Sequence, residues 1–208
     1  LLGIEHHAQD LFRQGIMAAL SEPPRYKLAE KKFRSAIESD DKFKEAYFNL
    51  GMTLERQGRP AEALKIYQDA IKATPNDVSA RAYIAKIYLS RAHQAKILGN
   101  SEEETKWLTT VKTLLDELVT IDHKNVAVNN SLALYWLAKD DLEQSEKFVK
   151  EVLYEEPRDV TGLNTRGLIN LKREQYLVAE WIFKNKGLEE DPNSTEALTN
   201  LGYTYIRM

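Results

Sequence analysis

Apolar positions recur at steps of three and four along nearly the whole chain. In the clearest stretch, Ala46, Tyr47, Leu50, Gly51 and Leu54 form one such series; Gly58, Arg59 and Pro60 interrupt it, and Ala63, Leu64, Tyr67, Ala70 and Ile71 resume it before Pro75 and Asn76. A period near 3.6, broken by Gly and Pro, predicts two amphipathic helices joined by a tight turn. The small residues have a packing reason. Where two helix axes cross, Gly51 and Ala63 remove side-chain bulk, so that Tyr67 can fill the gap beside them.

The unit repeats. From Gly51 the steps to Ala63, Tyr67, Ala70 and Pro75 are 12, 4, 3 and 5, and the same steps lead from Ala133 to Ser145, Val149, Val152 and Pro157. Gly167 leads to Ala179 and Phe183, then with one extra residue to Gly187 and Pro192, a place for a π-bulge. Gly15 leads to Ala29, Phe33, Ala36 and Asp41, and Ala85 to Val111, Leu115, Leu118 and His123, after two and fourteen added residues respectively. Gly202 opens a sixth copy. Successive small residues are separated by 36, 34, 48, 34 and 35 positions, which is one period of 34 plus these insertions. A single helix pair cannot bury both of its apolar faces, so neighbouring pairs must stack.

The third unit departs most. Its helical periodicity runs up through Ile84, Ile87, Tyr88, Arg91, Ala95 and Leu98 and down through Trp107, Leu108, Val111, Leu114, Leu115 and Leu118. Both helices are therefore expected to be longer and to project as a fin. Gly99 and Asn100 supply a stop, and Ser101 with Glu104 reads as a capping box. The fin offers a docking surface anchored on Ile97 or Trp107; the alternative is that these residues only pack the two long helices together. Ser21, Glu22, Pro23 and Pro24 read as a stiff connector.

The spacing resembles the tetratricopeptide repeat family over nearly the whole chain, from about Glu5 to Met208. The resemblance implies an all-α fold, a right-handed superhelical solenoid of antiparallel helix pairs. Its repeats would span 8–43, 44–77, 78–125, 126–159, 160–194 and a partial 195–208. It also implies binding of a partner's peptide or helix along the first helices of the pairs. Carried over residue by residue, that groove holds Phe12, Phe48, Asn49, Met52, Tyr83, Asn130, Leu134, Asn164, Leu168, Asn200 and Tyr203. The amides offer a donor and an acceptor to a peptide backbone. Their alternative role is capping or interhelical bonding, and some of the apolar residues compete for core positions. Co-chaperone members of this family grip a terminal carboxylate with cations. Here the places flanking Asn49 hold Phe12, Ile16, Ser79 and Tyr83, so that clamp is not expected.

Composition changes little. The chain of 208 residues has 43% hydrophobic and 29% charged content, no Cys, and a formal charge of −3, so it lacks the positive excess that neutralises a phosphate backbone. Nucleic acid is not an expected ligand, nor are the RNA-binding helical repeats a match, since this groove carries Phe, Met, Leu and Tyr. His6, His7, His93 and His123 form no ligand pattern, Asp40–Asp41 and Asp140–Asp141 fall at helix ends, and no nucleophile or phosphate-binding motif occurs. We expect neither catalysis nor a cofactor or metal. Charges interrupt every apolar run, so no membrane insertion is expected of this segment. The start at Leu1 and the end at Met208 within an apolar pattern read as a piece of a longer protein. The compartment, cytoplasmic or periplasmic, is left open.

The expected partner is another protein. Self-assembly into a homo-oligomer, motivated by Leu201, Tyr205 and Ile206, is an alternative, as is a regulatory role within a larger protein. The Lys, Asn and Glu usage is similar to that of bacterial tetratricopeptide proteins, including those that help assemble pili, motility machines or other envelope complexes.

Overall fold

A computed structural model describes residues 2–208, and every regular element among them is helical. The chain forms two compact units that divide between Arg81 and Ala82. The first holds α1 (Leu2–Ala19), α2 (Tyr26–Ser39), α3 (Lys44–Arg56), α4 (Pro60–Ala73) and the opening turn of α5 (Ser79–Ile97). The second holds the rest of α5, then α6 (Ser101–Ile121), α7 (Val126–Ala138), α8 (Leu142–Glu155), α9 (Val160–Lys172) and α10 (Tyr176–Ile182). A π turn (Phe183–Gly187), α11 (Leu188–Glu190) and α12 (Thr195–Arg207) complete it.

Within the units α1 packs on α2, α3 on α4, α7 on α8 and α9 on α10, and first helices pack on first helices: α1 on α3, α7 on α9, and α9 on α12. The crossings are those the small residues predict. A Cβ added at Gly51 would overlap the Tyr67 ring, and one at Gly15 or Gly167 would run into Phe33 or Phe183. Tyr67, Phe33 and Phe183 are fully buried. Where Ala133 replaces Gly, the smaller Val149 takes the aromatic place and joins it in one core cluster with Leu137 and Ile169. Ser145, a departure from the repeat's usual Ala, is also fully buried, and its hydroxyl donates to the Ala133 carbonyl at 2.8 Å. The serine thus spans the crossing by a bond rather than by bulk.

The extra residue near Phe183 is absorbed as anticipated, by the π turn over Phe183–Gly187. Widening that one turn keeps Phe183 against Gly167 and brings Gly187 within 3.6 Å of the Ala197 methyl, measured from where its own Cβ would stand. The long pair is also present: α5 has 19 residues and α6 has 21, against 13 and 14 in α7 and α8. Its turn corrects the capping expectation by one position. Asn100, not Ser101, is the N-cap; its side chain accepts from the Glu103 amide at 3.1 Å and donates to the Glu103 carboxylate. Gly99, at φ +71°, makes the left-handed turn that delivers Asn to this place, and Asn is among the strongest N-caps. Asp141 caps α8 in the same way, through the Gln144 amide at 3.0 Å.

In the first unit, Arg59 ties second helix to second helix, reaching Glu30 at 2.7 Å and Glu62 at 2.6 Å. Burial pushes Glu30 up, but hydrogen bonds from Arg59, Arg34 and Gln57 outweigh it and leave the carboxyl below its ordinary value.

The crossing makes a prediction. Gly51→Ala should lower stability by about 1–3 kcal/mol, the usual cost of overpacking, and adding Tyr67→Leu should recover most of it by reproducing the Ala-with-aliphatic combination of the fourth repeat. Gly202→Ala, whose Cβ would meet nothing within 4 Å, should instead gain up to about 1 kcal/mol from helix propensity. Urea midpoints of the four proteins check this; equal loss at Gly51 and Gly202 would refute it.

Candidate binding surface

The positions named for the groove lie on first helices of both units. In the first unit, Phe12 of α1 is half-buried and packs its ring on Phe33 and Phe43, at centroid distances of 5.7 and 5.0 Å. Phe48 of α3 is only 8% exposed, so it belongs to the core rather than to an open lining. Asn49 is half-buried and donates its amide back to the Glu45 carbonyl at 2.9 Å. Met52 is half-buried and is the adaptable apolar side chain of this stretch.

The second unit brings more of the set together. Tyr83 stands on α5, Asn130 and Leu134 on α7, Asn164 and Leu168 on α9, and Asn200 and Tyr203 on α12. Ser131 of α7 donates to the Ala82 carbonyl at 2.9 Å, fixing α7 against the start of this stretch of α5. Asn130 donates to the Asp159 carboxylate at 2.9 Å, and that carboxylate also caps α9 through the Gly162 amide at 2.7 Å. Asn200 donates to the Asn164 oxygen at 3.1 Å. The amides therefore tie successive first helices to one another. Asn164, 2% exposed, has little surface to offer a ligand, whereas Asn200 is half-exposed. The Asn130 oxygen is buried without a hydrogen-bond partner, a cost of about 1–3 kcal/mol for an unsatisfied polar group.

Leu134 and Leu168 are half-buried, and Tyr203 is exposed. Leu168 is partly spent on packing, since it bridges the core of the fourth repeat and that of the fifth. Leu134 and Tyr203 are the apolar members best placed to meet a ligand. On the long pair, Trp107 is half-buried, with Tyr88 at 5.0 Å and the Arg91 guanidinium at 5.1 Å from its ring. Trp107 thus packs the pair together, while Ile97 stands 71% exposed beside the equally open Leu98.

Sequence reasoning missed the residues that bridge successive first helices through their caps. Asp159 is one; Asp77 is the other, accepting from Lys44 Nζ at 2.7 Å and from the Ser79 amide at 2.8 Å ahead of α5. Both are Asp residues two positions beyond a Pro, and that repeated Pro-x-Asp spacing was the available signal. Burial pushes Asp77 up, but Lys44 and the Ser79 amide outweigh it and hold the carboxyl below its ordinary value; the bond to Asp77 raises Lys44 in turn.

A cleft of about 370 Å³ lies between α8 and α9, lined by Glu143, Glu146, Lys147, Lys150, Glu151 and Arg173, and Arg173 closes on Glu146 at 2.7 Å. All four His residues are exposed, and among the described residues no three His, Asp or Glu side chains converge to hold a metal. No helix among the described residues is long and apolar enough to cross a membrane.

Comparison with known proteins agrees with the helical pairs. A model described as tetratricopeptide repeat matches residues 25–78. A thermophilic TPR protein from Thermus thermophilus superposes with a TM-score of 0.68 over 96% of this chain and 99% of its own, at 18% identity. The APC/C hetero-tetramer Cut9–Hcn1 gives 0.53 over 99% of this chain and 40% of that one, at 17% identity. The human IFIT1 dimer with m7Gppp-AAAA gives 0.59 over 88% and 42%, at 16% identity. Among curated sequences, the protein O-mannosyl-transferase TMTC3 of Mus musculus is 25% identical over 186 residues, and that of Homo sapiens 24%. The match takes in 85% of this chain but only 19% of either relative.

The Lys44–Asp77 pair yields a pH prediction. A carboxyl held below its ordinary value stabilises the fold above the usual carboxylate range, roughly pH 4, and that contribution is lost as pH falls through the lowered folded value. Asp77→Asn should therefore cost about 1 kcal/mol at pH 7, and the difference from the parent should shrink on acidification. Denaturation curves at neutral and acid pH test it, and a gap that widens toward acid would contradict it.

Proposed function

We propose, for a chain that belongs to the tetratricopeptide repeat family, a non-catalytic scaffold that binds a peptide or helix of another protein along its first helices. The fold itself supports a protein-interaction scaffold. The finer reading is carried by one observation: in the second unit, amides and open apolar side chains alternate on consecutive first helices. Leu134 and Tyr203 supply contact area, and Asn200 supplies polar groups to a peptide backbone. Asn164 acts behind this surface, while Phe12 and Phe48 pack within the first unit. Ile97 with Leu98 is a second docking point of the same proposal. Service in a bacterial envelope, pilus or motility assembly is the narrowest form of this reading.

A second reading has a specific observation in its favour. The chain spans 19% of the mouse and human O-mannosyl-transferases it matches, which supports a repeat region that recruits or orients a partner for a larger protein. A third, homo-oligomerisation, draws on the exposed Tyr205 and Ile206 of α12.

Capture from the extract of the source cell separates these readings. Leu134→Glu should reduce retention of the captured partner at least about tenfold, as expected for a central apolar contact, whereas Leu134→Met should retain it; circular dichroism should show unchanged helicity for both. If Leu134→Glu binds normally, the groove reading fails. Light scattering of the parent addresses self-assembly directly, since a monomer across the working concentration range excludes the oligomer.

A further inference from the structure

The repeat supplies an internal control for every surface position. Two residues before and two after the buried small residue of each second helix, the side chains point outward. They are Lys27 and Lys31 in α2, Ala61 and Lys65 in α4, Thr109 and Thr113 in α6, and Glu143 and Lys147 in α8. All are exposed. In α10 the same two positions hold Leu177 and Trp181, 72% and 53% exposed.

A following repeat does not cover these positions. Lys27 and Lys31 stay exposed although α3 and α4 come next, and Glu143 and Lys147 stay exposed although α9 and α10 do. One turn apart on a helix, Leu177 and Trp181 share a face, with the half-exposed Val178 beside it. The π turn that follows adds Lys184 and Lys186. Lys186 Nζ stands 5.4 Å from the Trp181 ring centroid, and neither lysine has a carboxylate partner among the described residues. Neighbouring cations are neutralised: Lys172 by Asp140 and Arg173 by Glu146.

We infer that Leu177 and Trp181, flanked by Lys184 and Lys186, form a further protein-docking site, on a second helix and distinct from the proposed groove and from Ile97 and Leu98, for an acidic amphipathic helix. The apolar stripe is one helical turn long and narrow, which suits the ridge of a facing helix with apolar residues at i and i+4. The two uncompensated cations beside it select carboxylates on that ridge's flank. Trp and a cation at the centre of a small apolar patch are the usual composition of an interface hot spot. A membrane fits less well. A bilayer is a broad plane and would bring its anionic headgroups against Glu180 and Glu189, which flank the same lysines in sequence, whereas a helix can set its carboxylates against the lysines alone.

The test uses the whole 208-residue chain. A displayed library of amphipathic helical peptides is selected against it, and the survivors are measured against Leu177→Glu/Trp181→Lys, which installs the pair the fourth repeat carries at exposed positions and so preserves the fold. Expected survivors are acidic, bind at least about tenfold more weakly to this double variant, and lose affinity as salt rises. Lys184→Glu/Lys186→Glu should turn the preference toward basic peptides, while Leu134→Glu should leave binding unchanged. The inference is overturned by survivors that are basic or indifferent to the double variant, by a selection that returns none, or by binding lost only in Leu134→Glu. Sedimentation with phosphatidylcholine–phosphatidylserine vesicles that disappears in the double variant, with no peptide selected, would make the patch a membrane contact and likewise overturn it.

Discussion

The architecture rests on one steric exchange. At each helix crossing a small residue on the first helix yields volume to a larger one on the second, and the two sizes are matched: Gly15 with Phe33, Gly51 with Tyr67, Gly167 with Phe183, Ala133 with Val149. A native core is packed too tightly for either member to change alone. The exchange also sets the helix phase, because it fixes which residues point into the crossing. Everything on the outer faces, from the Arg59 cluster to the amides of α7 and α9, takes its position from that phase.

Because the crossing bears the packing, other positions are released for variation. The third repeat lengthens both helices without disturbing Ala85 or Val111, each of which stays fully buried. The fourth repeat replaces a packing contact by the Ser145 hydrogen bond. Between crossings, the stack is held by local polar bridges near the start of each first helix: Lys44 to Asp77 in one unit, Asn130 to Asp159 and Asn164 to Asn200 in the other. These are modest individually, about 1 kcal/mol each, but they join successive first helices within each unit.

The repeat period, the helix pairs, the long third pair and the π turn near Phe183 were all legible in the sequence, because each follows from spacing alone. The candidate surface was less so. Spacing places Phe48, Asn49 and Met52 near one another, yet it does not say that Phe48 is shielded by its neighbours while Met52 is partly open. Nor does it say that Asn164 is sealed beneath Asn200. Burial depends on the side chains of adjacent repeats, which a one-dimensional ruler does not carry. The Asn100 cap was missed by one residue for a local reason: a capping box at Ser101 and an Asn cap after a left-handed Gly99 both fit the letters, and the turn geometry selects the second.

The π turn shows how the period tolerates an insertion without losing a crossing. An inserted residue in an α-helix rotates all later positions by roughly 100°, which would have swung either Phe183 out of its crossing or Gly187 away from α12. Placing the wide turn immediately after Ile182 leaves Phe183 in register with Gly167 and defers the rotation to the segment that carries Lys184 and Lys186. Those lysines therefore emerge at an angle set by the insertion, next to the one second helix whose outer positions are Leu and Trp. An insertion and two apolar substitutions within about three turns of helix are independent departures from the repeat. Core packing accounts for neither Leu177 nor Trp181, since both side chains are exposed, so their coincidence with the two cations is a property of the surface.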